Sequence, residues 1–357
     1  MGARKQFDPT RRRFLSLSGS VLAAVASPFV MSAKAWAQSK TFVIYSFDGV
    51  LGRAFKEQVI PPFEQQHGVR IETITMPGSV PPMQKVKAMV EAGRPEADVI
   101  PMQLTDYVFA RRNNLVIPLG PSDIPEYKNL YPQFITEHGP GLLLWSYGIA
   151  YNTRHIKEEP SSWRELWNPA YKGRVAINDP IFEHVLQMVN LTYSGKLLPI
   201  NDQTFARLSE LRPNLLTLYT TGAQAEQLLR REEVWIGGMW NSRTAAVQDE
   251  GVPVRFIAPK EGFFVRYNPF CIPRGARDPD LAKTWINYVC SKEPQGLIAE
   301  KGYQGSPNKE VVYSEHIKSR LIVTDPNVIQ RAVKEDFDAI VDNVADWRRR
   351  WDAWKQA

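Results

Sequence analysis

Thr41-Phe42-Val43-Ile44-Tyr45, followed by the turn-forming pair Asp48-Gly49, is a run of β-branched and aromatic residues and predicts a buried strand. Beyond it, Phe55, Val59, Ile60 and Phe63 recur at helical spacing across residues 52–67, and Gly68 supplies a stop. Val69-Arg70-Ile71-Glu72-Thr73-Ile74 alternates as a strand does, residues 82–92 predict a second helix, and Ala97-Asp98-Val99-Ile100-Pro101 makes a third short strand. Strands and helices in alternation specify an α/β layer on a largely parallel sheet.

Downstream, Pro118, Pro121, Pro125 and Pro132 mark an irregular connection. The run Leu142-Leu143-Leu144-Trp145-Ser146-Tyr147-Gly148-Ile149-Ala150-Tyr151 then reads as a strand long enough to cross between domains. Ser161-Ser162 caps a short helix at Trp163-Arg164-Glu165-Leu166-Trp167, and Lys172-Gly173 turns into the strand Arg174-Val175-Ala176-Ile177. Helices are predicted over 182–194, 202–212 and 223–232, with strands at 234–239 and 254–258, which is a second α/β unit. Phe270-Cys271-Ile272-Pro273 is a further strand, and 279–302 and 326–355 are chiefly helical. A chain of 357 residues exceeds one comfortable core, so two domains are expected.

Upstream of this fold, Thr10-Arg11-Arg12-Arg13-Phe14-Leu15, an apolar stretch to Met31 and Ala35-Trp36-Ala37 form a twin-arginine signal peptide over 1–37, with cleavage expected near Ala37-Gln38. Serines and Pro28 interrupt the apolar stretch, which argues against a membrane anchor. The leader contains no cysteine for lipid attachment. It also carries much of the formal charge of +6: without its six basic and one acidic residues, 38 basic and 37 acidic remain. The nucleic-acid or membrane reading that a basic protein invites therefore falls away. Arg348-Arg349-Arg350, interleaved with Trp347, Trp351 and Trp354, reads as a terminal helix with buried tryptophans and solvated arginines. Cys271 and Cys290 leave two readings open, a disulfide or two buried thiols.

No catalytic constellation emerges. The five histidines are scattered, no metal-ligand spacing or Gly-rich phosphate cradle occurs, and no cofactor is called for. Glu183-His184 reads as a helix-surface pair, and Gly237-Gly238 inside a strand marks close backbone packing. Aromatic residues do stand beside polar ones at the strand ends: Tyr45 with Phe47 and Asp48, Asp106 with Tyr107, Trp145 with Tyr147, Trp240 with Asn241, and Arg266 with Tyr267 and Asn268. Ligands of open α/β sheets bind outside the carboxyl ends of strands, so these junctions are candidates for one cleft.

The ordered series resembles the periplasmic solute-binding proteins of ATP-driven (ABC) importers, in particular the spermidine/putrescine-binding group. It runs through Tyr45-Ser46-Phe47, Phe63-Glu64-Gln65-Gln66-His67-Gly68-Val69, Asp98-Val99-Ile100-Pro101, Gly148-Ile149-Ala150-Tyr151-Asn152, Tyr171-Lys172-Gly173-Arg174-Val175, Gly238-Met239-Trp240-Asn241 and Gly302-Tyr303-Gln304-Gly305-Ser306-Pro307-Asn308. The resemblance implies an α/β, two-lobed (type II) clamp, with 38–144 plus about 269–320 in one lobe and about 145–268 plus 321–357 in the other. It implies solute capture rather than catalysis, a periplasmic location, a monomer, and partnership with a membrane permease, its ATPase and, during export, the twin-arginine translocase.

The candidate binding set is Phe47, Asp48, Asp106, Trp145, Tyr147, Asp179, Thr221, Trp240, Arg266 and Asn268: the resemblance matches Phe47, Asp179, Trp240 and the Arg266–Asn268 segment to the group's sites, the strand-end junctions supply Asp48, Asp106, Trp145 and Tyr147, and the Thr220-Thr221-Gly222 turn offers helix N–H groups to an anion. The group's Trp-x-Asp is replaced here by Arg266-Tyr267-Asn268, which removes a carboxylate and adds a cation. An arginine suits a bidentate anion contact and repels a dication. The expected solute therefore bears an anionic group, as amino-acid-like or opine-like compounds do, with an amine facing Asp48, Asp106 or Asp179. An ion pair of Arg266 within the protein and retained polyamine binding are the alternatives; an exported cofactor enzyme and a ferric-ion binder are more remote.

Overall fold

The computed structural model describes residues 41–76 and 81–357; the leader expected over 1–37 and the cleavage expected near Ala37-Gln38 lie outside the described residues. β1 (Thr41–Ser46) and β2 (Arg70–Thr75) pair in parallel, Thr41 opposite Arg70 and Ser46 opposite Thr75. Helix α1 joins them in three consecutive segments: Gly49–Ala54, a π-helical Phe55–Val59, and Ile60–His67. Pro61 and Pro62 carry no backbone N–H, so the ladder loses donors and widens immediately before them. Gly68 closes the helix in the left-handed region at φ 63°. After α2 (Met83–Glu91) comes β3 (Ile100–Pro101), set beside β1 by a parallel bridge from Ile44 to Val99, and then α3 (Leu104–Arg112).

The larger sheet has the order β3, β10 (Phe264–Cys271), β5 (Gly139–Asn152), β8 (Ile236–Trp240), β6 (Val175–Asn178), β7 (Leu215–Tyr219). Its spine is β5, preceded by the short β4 (Ile135–Thr136) and antiparallel to β10. The far half of β5 also pairs with β8 and β9 (Val254–Ile257), while β6 lies parallel to β8 and to β7. Around these pack α4 (Phe182–Ser194), α5 (Asp202–Ser209), α6 (Gly222–Arg230), α7 (Asn241–Asp249), α8 (Pro279–Cys290), α9 (Lys292–Gly302) and α10 (Phe337–Gln356).

Two principal cores draw on opposite ends of the β5–β10 pair. One gathers Phe42, Phe63, Val99, Leu142, Phe270 and Trp285; the other gathers Tyr147, Trp163, Ile177, Phe264, Ile340 and Trp351. Between them the β5–β10 register slips between Arg266 and Asn268, and Leu143 takes φ 63°. Such a bulge bends the pair, and a non-glycine residue held in the left-handed region costs ~1–3 kcal/mol.

The terminal helix forms as its sequence predicts. Trp347, Trp351 and Trp354 are buried, Arg348 lies 3.7 Å from the Phe182 ring centroid, and Arg350 pairs with Asp202 at 2.6 Å. Gly237 and Gly238 do mark close packing: a Cβ would lie 2.4 Å from the Ala176 carbonyl oxygen at one and 2.2 Å from the Tyr147 hydroxyl at the other. Cys271 and Cys290 are both buried free thiols, so the disulfide reading is set aside. The helix expected over 279–302 divides at Ser291, because Pro294 is accommodated only in the first turn of a new helix. The strand expected at 270–273 begins earlier, at Phe264, since Arg266 and Asn268 hide its apolar pattern.

Candidate functional site

Antiparallel register puts directly opposed side chains on one face of a sheet. Arg266 opposes Trp145, Phe264 opposes Tyr147, and Tyr147 opposes Trp240, so these residues share the face of the strand crossing. Trp145 and Trp240, both half-buried, meet edge to face at 4.4 Å between ring centroids. Trp145 Nε1 donates to Asn268 Oδ1 at 3.3 Å, and Asn268 Nδ2 donates to the Met102 carbonyl at 3.1 Å, tying the crossing to the end of β3.

Arg266, opposite Trp145, belongs to a buried charge cluster. Arg266, 2% exposed, donates from Nε and Nη2 to the two carboxylate oxygens of Glu335, each at 2.8 Å. The Phe337 ring lies 4.6 Å from its guanidinium carbon, and Val333 N–H donates to the Phe263 carbonyl, holding the segment that carries Glu335 along β10. Burial raises Glu335, helped by the nearby Glu183 charge and opposed by Arg266. His184 Nε2 is 3.9 Å from Glu335, and both of its ring nitrogens are buried without a hydrogen-bond partner. Burial, reinforced by the Arg266 charge, holds His184 well below its ordinary value, so it is neutral.

A cavity of about 530 Å³ opens beside Glu335, walled by Tyr107 and Arg111 of α3, Glu137, Tyr267 and Asp338. Small-molecule sites fall in the range of roughly 300–1,000 Å³. Its edge is bridged by ion pairs between the two cores: Arg111 to Asp338 at 2.7 Å, and Arg112 to Asp338 at 2.8 Å and Asp342 at 2.5 Å. In the first turn of α3, Asp106 keeps one buried carboxylate oxygen with no partner. Burial pushes Asp106 up to about 7, against the pull of the Gln103 backbone N–H.

Trp145, Tyr147, Trp240, Arg266 and Asn268 are thus brought together, and Phe47 reaches the same strand through Phe270, 6.5 Å away. Asp48 is exposed at the start of α1, and Thr221 is exposed as the cap of α6, accepting from the Gln224 N–H. Four expectations are corrected. Tyr147 is fully buried against Trp163 and His184, inside a core. Asp179 is not an open carboxylate, since it accepts from Trp351 Nε1 at 2.5 Å and Lys355 at 3.2 Å of α10. Arg266 offers no open fork, because Glu335 occupies it. Glu183-His184 is not a surface pair: His184 is 1% exposed and burial raises Glu183. Sequence reading missed Glu335, which sits 69 residues from Arg266 in an irregular segment without a motif.

Residues 58–326 match the family described as bacterial extracellular solute-binding protein. The chain belongs to this family. Among its relatives is a gamma-aminobutyric acid-binding protein of Pseudomonas aeruginosa, 26% identical over 355 residues and covering 95% of each chain. Another is spermidine/putrescine-binding periplasmic protein 1 of Haemophilus influenzae, 26% identical over 70% of this chain and 71% of the relative. A solved GABA receptor superposes with a TM-score of 0.77 at 24% identity, over 88% of this chain and 97% of that one. The fold is the two-lobed α/β clamp of periplasmic binding proteins. Among the described residues, no helix is long and apolar enough to cross a membrane, and no group of three or more metal-ligating side chains occurs.

Proposed function

We propose that this solute-binding protein is the periplasmic, twin-arginine-exported component of an ABC importer, acting without chemistry on its ligand. It captures a small amino-acid-like or opine-like solute carrying an anionic group and an amine, and passes it to the permease and its ATPase. One lobe comprises 38–144 and about 269–320, the other about 145–268 and 321–357, and they close over the solute at the β5–β10 crossing. The membrane partner distinguishes loaded from empty protein only through its differential affinity for the closed form.

The observation that carries the solute class is the engagement of Asp179 by α10. A dication needs a carboxylate at each end, and with Asn268 in place of an acid and Asp179 occupied, the second end has no partner at those positions. Asp106 retains an unpartnered oxygen for one amine. The Thr221 end of α6 is offered to the anionic group, with Arg266 held by Glu335 as its internal counter-ion and Trp145 and Trp240 packing the carbon chain. Phe47, Asp48, Tyr147 and Asn268 shape or support this site. Relatives that bind gamma-aminobutyric acid fit the same chemistry. The polyamine reading draws on the acidic lining of the cavity, yet Glu335 is paired with Arg266, Asp336 caps α10 and Asp338 is held by Arg111 and Arg112; the exposed Glu137 then leaves one carboxylate of the wall where a dication needs two.

Thermal-shift screening of the mature protein against gamma-aminobutyrate, other amino acids, opine-like conjugates, dicarboxylates, spermidine and putrescine tests this reading. A ligand at a hundredfold excess over Kd stabilises by about 2.7 kcal/mol. A large shift with polyamines alone would overturn the proposal. A second expectation concerns the ion pairs joining the cores. Asp338→Asn/Asp342→Asn weakens solute affinity by about 2–5-fold at low ionic strength, and the difference fades near 1 M salt, where the Debye length is about 3 Å. Calorimetric titration at the two salt concentrations checks it; a salt-independent loss places these residues in direct solute contact.

A further inference from the structure

An arginine has five N–H donors in a planar fork, and that fork normally takes one carboxylate side-on. In this protein the side formed by Nε and Nη2 is already filled by Glu335, with both residues almost fully buried. What remains is Nη1, an end-on donor on a guanidinium whose positive charge has been matched from within the protein. The other titratable groups facing it add no positive charge to the buried cluster: His184 is held neutral by burial, and the carboxyl of Glu183 also feels the Arg266 charge. Arg348, which acts on Glu183, is stacked over Phe182 towards the surface. The cavity meets this cluster through Glu335 rather than through Arg266, and Tyr267 and Phe337 line it alongside.

We propose that Glu335 sets the charge class of the solute: by matching Arg266 from within, it makes the floor of the cleft neutral, so that a monocarboxylate bearing an amine is held and a dicarboxylate is turned away. This rests on the reading of the protein as a binder of amino-acid-like solutes and goes beyond it in naming what excludes the doubly anionic ones. The physical basis is local charge balance. A zwitterion brings no net charge to a neutral, poorly hydrated floor, whereas a dianion adds a second charge with no partner, and an unpaired buried charge is heavily penalised. Glu335→Gln retains the shape and one acceptor oxygen while leaving Arg266 as an unmatched cation. Its cheapest neutralisation is then an additional anion.

The probes are gamma-aminobutyrate and succinate, which share a carboxylate and a short carbon chain but end in an ammonium or a second carboxylate. Calorimetric titration of the mature wild-type protein, Glu335→Gln and Glu335→Asp gives the ratio of the two affinities for each. The expected result is a shift of that ratio towards succinate by at least about 10-fold in Glu335→Gln, the scale of one charge-assisted hydrogen bond, and a wild-type-like ratio in Glu335→Asp. An unchanged ratio in folded Glu335→Gln overturns the proposal, as does an equal loss of both ligands, which would make Glu335 only a positioning residue. If Glu335→Gln does not fold, Glu183→Gln must show a shift of the same sign, and no shift there overturns the proposal. A wild-type protein that binds neither probe nor any other carboxylate-bearing solute defeats the functional reading itself, and this one with it. Wild-type binding with an unaltered ratio in the variants defeats this inference alone.

Discussion

Arg266→Met lowers the unfolding free energy by about 3–5 kcal/mol, the scale expected when one partner of a buried ion pair is removed and the other is left uncompensated. The remaining carboxylate of Glu335 would be 1% exposed beside Glu183, whose own carboxyl is raised by burial. Arg266→Met/Glu335→Leu should recover most of that loss, because a buried pair replaced by apolar groups of similar volume leaves no orphan charge. Urea unfolding of the two variants and the wild type measures both effects. A single variant within about 1 kcal/mol of wild type, the range of a surface ion pair, would mean that the pair is solvated and that the cleft floor is open to water.

The second large effect is carried by Asp106. Its carboxyl lies at about 7 in the folded protein against an ordinary 3.8, with burial as the principal cause. A raised folded-state value means that the folded protein holds the proton more tightly than the unfolded chain. The resulting stabilisation is fully present below about pH 3.8 and is lost as pH rises through about 7. Asp106→Asn removes the cost of the buried charge, so the variant should exceed the wild type by up to ~4 kcal/mol at pH 8 and converge with it near pH 4. Unfolding free energies measured across that interval test the sign, and parallel curves would show that Asp106 is solvated. The same variant should lose affinity for amine-bearing solutes, an exchange of stability for function of the kind expected where a binding site holds an unsatisfied group.

The contrast between Asp106 and Asp179 shows where sequence reading reached its limit. Both are acids close to the carboxyl end of a strand, and nothing local separates them. Asp179 is engaged by Trp351 and Lys355, which follow it by more than 170 residues, while one oxygen of Asp106 faces no donor. Arg266 was legible as a cation on a crossing strand, but its partner was not. Glu335 lies in an irregular segment before α10, and only the path of that segment along Phe263 brings its carboxylate to the guanidinium. His184 illustrates the same limit: its helix was predicted, but the depth of that helix against Tyr147 and Phe264 was not.

The amino-acid sequence by itself determined the α/β class, the two successive units, the long crossing strand and the inward-facing tryptophans of the last helix. Those features follow from side-chain periodicity and turn chemistry, which act between residues a few positions apart. The tertiary structure alone decided that Arg266 is matched by Glu335, that Asp179 is occupied and that Asp106 is not. Charge pairing and desolvation depend on distance and burial in space, and no local pattern encodes them.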